Sequence, residues 1–154
     1  MKKILYIFAV FFIFCNVFAS CSNDDNNDAV TPSGNPAEVA AGTYEGTWTR
    51  IANGDTTTNE GTIIIAATDS DFTADFHFIS TGYSLDASSV ANIAYAGSDG
   101  TTFVYNNGTS TNTLGSVFAG RIENGTVSSR FQISQRAGRT MKLFTFLFNG
   151  KKNI

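Results

Sequence analysis

Residues 40–154 read as an all-β domain: an eight-stranded antiparallel up-and-down barrel, with a β-sandwich of similar strand count as the alternative. Three observations predict this. From Thr43 onward, Thr, Ile, Val, Phe and Tyr recur in short runs with two-fold alternation. Polar turn clusters separate most of the runs. No Pro follows Pro36, and no stretch keeps helical apolar spacing over three turns.

The runs follow in order at about 43–51, 57–66, 72–80, 84–95, 101–106, 113–122, 125–135 and 139–149. Between them stand Asn53-Gly54-Asp55, Thr68-Asp69-Ser70-Asp71, Ser98-Asp99-Gly100, Asn106-Asn107-Gly108, Asn124-Gly125 and Ala137-Gly138. On the third strand Phe72, Ala74, Phe76 and Phe78 share one face. On the sixth Leu114, Phe118 and Ile122 do so. On the seventh Val127, Phe131 and Ile133 lie opposite Ser128, Arg130 and Gln132. One apolar and one wet face is what an antiparallel meander gives. The eighth strand, MKLFTFLF, is apolar on both faces, which suits a strand that closes a barrel. An open meander would leave its first and last strands as edges prone to aggregation. About 43–50 is therefore expected to pair antiparallel with about 142–149, burying Trp48 near the last strand's aromatics.

The first 39 residues have other characters. Lys2-Lys3 precede the apolar run ILYIFAVFFIF at 4–14, and F-A-S-C follows at 18–21, so 1–20 read as a cleaved signal peptide. Residues 22–39, SNDDNNDAVTPSGNPAEV, have no aromatic and read as a flexible acidic tether, not packed on the domain. The domain then begins at Ala40. It holds no cysteine, since Cys15 leaves with the leader and Cys21 closes it. A disulfide framework and a Cys-based zinc site are both excluded, so the domain must rest on its apolar core.

The domain's charge is about −1, from eight Lys and Arg against nine Asp and Glu. With no dominant basic patch, nucleic acid is not an expected partner. His77 is the single histidine, on the Asp75 face of the third strand. It has no evident nucleophile or orienting acid, and there is no G-x-S-x-G element, so no catalytic residue and no enzyme are expected. Asp69, Asp71 and Asp75 read as turn and strand-face residues before they read as a cation site. Asp24, Asn26 and Asp28 have the start of a calcium-loop spacing, but Ala29 and Asn35 stand where Gly and Glu are needed. Arg121, Arg130, Arg136 and Arg139 read as solvated strand faces. No metal and no cofactor are expected.

Some of these motifs carry resemblances. F-A-S-C resembles the bacterial lipobox, with Phe18 departing from its usual branched aliphatic. That likeness implies a diacylglyceryl group on Cys21 and a membrane as partner. Asp24, Asp25 and Asp28 resemble the acidic export signal of Bacteroidetes surface lipoproteins. That implies a lipid-anchored place on the outer membrane, exposed at the cell surface. Asp55-Thr56-Thr57 resembles the O-glycosylation acceptor of the same group, though a plain hairpin loop explains it. AGTYEGTWT at 41–49 resembles the first strand of calycin barrels, with Gly46-x-Trp48 in place of the lipocalin G-x-W. FLFNGKK at 146–152, with the length and strand count, is similar to the calycin-like lipoproteins of Bacteroidetes. The C-terminal helix, the N-terminal 3₁₀ turn and the disulfides of lipocalins are not evident.

Two functions follow as expectations. The first is a non-catalytic binding module for a small apolar ligand or an exported partner, with Trp48, Tyr44, Phe76, Phe78, Phe118 and Phe131 lining the ligand site or filling the core. The second is a structural or accessory component of an envelope complex without a small ligand. Eight-stranded barrels either fill with side chains or hold one small ligand, so the interior decides between them.

Overall fold

The computed structural model describes residues 32–108, 118–137 and 139–153. The leader, Cys21 and the acids at 24, 25 and 28 lie outside these residues, as do Leu114 and Gly138. Eight strands run in sequence order: β1 (Gly42–Ala52), β2 (Asp55–Ala67), β3 (Thr73–Ser80), β4 (Leu85–Tyr95), β5 (Thr102–Asn106), β6 (Phe118–Glu123), β7 (Thr126–Ala137) and β8 (Thr140–Lys152). Each pairs antiparallel with the next, and β8 returns to β1, so the sheet is a closed up-and-down barrel and not a sandwich.

Closure follows the expected pairing, shifted slightly along the strands: Tyr44 stands opposite Lys152, Trp48 opposite Phe148 and Ile51 opposite Thr145. Two hairpins are tightened by Asn-Gly. Asn53 and Gly54 have φ of 52° and 91°, and Asn124 and Gly125 have 49° and 72°. Positive φ at both central residues suits the right-handed twist of the flanking strands.

Alternation separates inside from outside. Tyr44 and Trp48 on β1, Ile63 and Ile65 on β2, and Ala74, Phe76 and Phe78 on β3 are buried. So are Ile93, Phe103, Tyr105, Phe118, Ile122, Val127, Phe131, Phe146 and Phe148. The residues between them on the same strands are largely polar and exposed. At Gly46 the barrel wall is at its tightest: a Cβ there would run into the backbone of Asn149 and Gly150 on β8. Glycine allows that approach, and the same absence of a Cβ at Gly61 leaves room for the indole of Trp48.

The structure departs from the sequence reading in two places. Residues at the end of the supposed tether form a helix, α1 (Pro36–Ala40), instead of an unpacked tail. Asn35 caps it, its side-chain oxygen accepting from the Ala37 N–H at 2.9 Å, and Pro36 stands at the first turn, where no N–H is needed. Pro36, Ala37 and Ala40 are buried. A five-residue helix cannot persist alone. This one is held on the barrel end by the Tyr44 hydroxyl, which donates to the Ala40 carbonyl at 2.7 Å, and by Lys152 Nζ, which donates to the Val39 carbonyl at 3.3 Å. The folded unit therefore begins before Ala40. Second, Phe72 does not join the interior row; it is 63% exposed in the turn before β3, where the Thr73 N–H still donates to the Ser70 carbonyl. The sixth strand is borne out from Phe118, and its expected first residues, 113–117, lie outside the described residues.

Candidate functional site: a packed lumen and a polar outer wall

The six aromatic residues named from the sequence converge on the barrel axis. Trp48, Phe76, Phe78, Phe118 and Phe131 are fully buried, and Tyr44 is 1% exposed. Ring centroids lie 5.5 Å apart for Trp48 and Phe131, 5.3 Å for Phe78 and Phe131, 5.1 Å for Phe78 and Phe118, and 5.2 Å for Phe76 and Phe118. Phe148 meets Trp48 at 4.7 Å and Phe146 stacks on Phe131 at 5.0 Å. These separations are those of packed aromatic pairs. The rings fill the lumen along this axis and act as core. The indole N–H passes over Gly61 of β2 to donate to the Ile79 carbonyl of β3 at 2.9 Å, which satisfies the one polar side-chain atom of Trp48 and fixes its ring.

Two buried phenols share this interior. Burial pushes the Tyr44 hydroxyl up to about 12, and burial holds Tyr105 well above the usual phenol range. Tyr105 donates to the Ser128 carbonyl at 3.3 Å.

The α1 end of the lumen is covered. At the opposite end Arg50 is half-buried and registers with Phe146, which places both on the inner face. Its guanidinium lies 4.8 Å from the centroid of the Tyr83 ring and 5.9 Å from that of Phe144. Such stacking favours a cation, more so where water is partly excluded. Tyr83, in the 3₁₀ turn Thr81–Tyr83, donates to Thr57 Oγ1 at 3.1 Å. Sequence reasoning passed over Arg50. Its even spacing from Trp48 on one strand is the signal that would have found it.

The remaining candidates stand apart on the outer wall and its turns. His77 Nε2 lies 2.6 Å from Asp86 Oδ1, a cross-strand pair between β3 and β4 with Asp86 largely exposed. Asp69 and Asp71 sit in the β2–β3 turn, and Asp75 is on β3. Among the described residues, no three His, Cys, Asp or Glu side chains gather as a metal site. Arg121 Nε pairs with Glu123 Oε2 at 3.3 Å, Arg130 and Arg139 are exposed, and Arg136 falls on β7. Asp55-Thr56-Thr57 is strand and not loop: it opens β2 directly after the Asn53-Gly54 turn and pairs with Ala52, Ile51 and Arg50 of β1.

Among the described residues the outer wall carries several concave regions, two of them larger. One, of about 560 Å³, lies over the Gly46–Gly61 pair and is lined by Glu45, Thr47, Glu60 and Thr62. The other, of about 820 Å³, crosses β5 to β8 and β1, with Val104, Ala119 and Leu147 in its lining and Arg121 and Arg130 beside them. A barrel that spans a bilayer turns an apolar band outward and a polar face inward. This one does the reverse.

No protein-family model matches the chain, and no curated protein matches it. Among solved structures it is similar to a Bacteroides fragilis protein provisionally described as an outer membrane protein, at a TM-score of 0.54 and 15% identity. The match covers 78% of this chain and 54% of the other, so this chain spans about half the length of that protein. At this identity the likeness concerns the fold.

Proposed function

We propose that the chain is a non-catalytic component of the cell envelope, held at the outer membrane by a lipid on Cys21 and working through the outer wall of its barrel. The observation that carries this reading is the filled lumen. Trp48 and the phenylalanines around it occupy the axis where a small apolar ligand would sit, so a ligand there would have to displace packed rings. This favours the structural or accessory role over the small-ligand role. The anchor rests on Lys2-Lys3, the apolar run after them and F-A-S-C at 18–21. The fold shared with the Bacteroides fragilis protein agrees with an envelope setting.

Two measurements test it. Native mass spectrometry of protein purified without denaturant should find the lipid-bearing mature chain and nothing more, and a further stoichiometric small molecule would overturn the ligand-free reading. Cys21→Ala should lose both membrane partitioning and incorporation of labelled fatty acid. A variant that keeps both would overturn the anchor.

A further inference from the structure

The near-neutral total charge of the domain conceals a division. From Ala119 onward the sequence carries seven Lys and Arg against a single acid, Glu123; from Ala40 to Phe118 it carries Arg50 alone against eight acids. In an up-and-down barrel, neighbours in sequence are neighbours around the wall, so this linear asymmetry becomes a spatial one. The arc of β6, β7 and β8 is basic and the arc of β2, β3 and β4 is acidic. Arg121, Arg130 and Lys151 are exposed on the outer face of this arc; Arg139, in the β7–β8 turn, and Lys142, on the row of Phe144 and Phe146, are exposed at its end. Glu123 is shared with Arg121, whereas among the described residues no carboxylate stands within ion-pair distance of Arg130, Arg139, Lys142 or Lys151.

Apolar side chains reach solvent around the whole wall, Ile64 and Val90 on the acidic arc included, and the basic arc has its share at and beside its edge. Leu143 is 56% exposed on β8 and Val104 is 41% exposed on β5, and the 820 Å³ concavity lies between Arg121 and Arg130 over Ala119 and Leu147. Cations interleaved with exposed aliphatic groups match a surface whose phosphates lie above hydrocarbon. Placement agrees. Pro32 lies beside Gly100 in the turn between β4 and β5. Ten residues separate it from Cys21, a reach of at most about 40 Å when fully extended.

We propose that the β6–β8 wall is a membrane-contact surface that docks on the phosphate-bearing headgroups of an anionic lipid layer and turns the acidic wall away. The biological setting rests on the envelope reading above, but the contact itself does not need the anchor. The domain's charge separation, not its net charge, would supply the orientation.

The test uses residues 21–154 with Cys21→Ser, made without lipid, and co-sedimentation with phosphatidylcholine vesicles that do or do not contain phosphatidylglycerol. Binding is expected on the anionic vesicles alone and should fall with added salt. Arg130→Gln with Lys151→Gln should weaken it about tenfold or more. The charge-matched pair Ala66→Asp with Val90→Asp, placed on β2 and β4, should weaken it far less, and the melting curves of both variants would establish that each is folded. Absence of binding, equal binding to neutral vesicles, or equal loss in both variants overturns the proposal. Capture of an acidic protein by the basic wall without vesicle binding would also overturn it, in favour of a protein partner. Because the probe carries no lipid, a failed anchor at Cys21 would leave these outcomes readable.

Discussion

Trp48 is the residue on which most of the interior converges: four aromatic rings meet it and its N–H is committed to the Ile79 carbonyl. Trp48→Ala should therefore destabilise the domain by about 3–5 kcal/mol in denaturant titrations, the range for emptying a large aromatic site. Gly46 acts by having no side chain. Gly46→Ala places a methyl group against the β8 backbone, and protection of the β1–β8 amides from hydrogen exchange should fall more than that of β3 and β4. Tyr44 gives a pH dependence. Its phenol titrates near 10 when unfolded and at about 12 when folded, so the stability it adds is complete below pH 10 and is lost as pH rises through 12. Tyr105 is shifted in the same direction. Stability followed from pH 8 to 12 should be flat and then fall, and Tyr44→Phe should soften that fall while costing about 1 kcal/mol near neutrality through the lost bond to Ala40.

At the scale of elements, α1 and β8 show how context overrides composition. The stretch before Ala40 is poor in apolar residues, and its only helical signals are the Asn35 cap and Pro36 at the first turn. The barrel end supplies what the segment lacks, covering Pro36, Ala37 and Ala40. A chain starting at Pro32 should melt within a few degrees of one starting at Ser22. A chain starting at Ala41 should lose stability on the order of 2 kcal/mol, since a few buried methyl and methylene groups and one buried hydrogen bond go with the helix. Equal melting of all three would show that the helix only rests on the surface. β8 reads as apolar on both faces, and the structure divides that pattern: Phe144, Phe146 and Phe148 face the lumen while Leu143 reaches solvent.

For the whole molecule, the decisive contact is the ladder between β1 and β8, the two ends of the domain. The remaining strand pairs join consecutive segments and close short loops, whereas this one closes nearly the whole domain. Refolding should be slow for the size, in the range of milliseconds to seconds typical of all-β domains. Stopped-flow fluorescence of Trp48, which lies in that ladder and in the core, would follow it. Microsecond refolding would contradict this.

The strands, their alternation, their turns and the closing pair were legible because each is written locally. A period of two follows from the pleat, Asn-Gly from the positive φ its hairpin needs, and closure from the cost of two bare apolar edges. The candidate aromatics were legible as residues but not as roles, since a row of inward rings describes a lined pocket and a packed core equally well. What closure adds is proximity, because the barrel's width sets how far the rings of Trp48, Phe78, Phe118 and Phe131 reach across to one another. The tertiary structure likewise placed Phe72 outside, since a residue still in a turn has left the alternation, and turned Arg50 inward beside Tyr83. It also converted a late excess of Lys and Arg into a wall, because wrapping a linear pattern around a cylinder puts residues side by side that a total charge averages away.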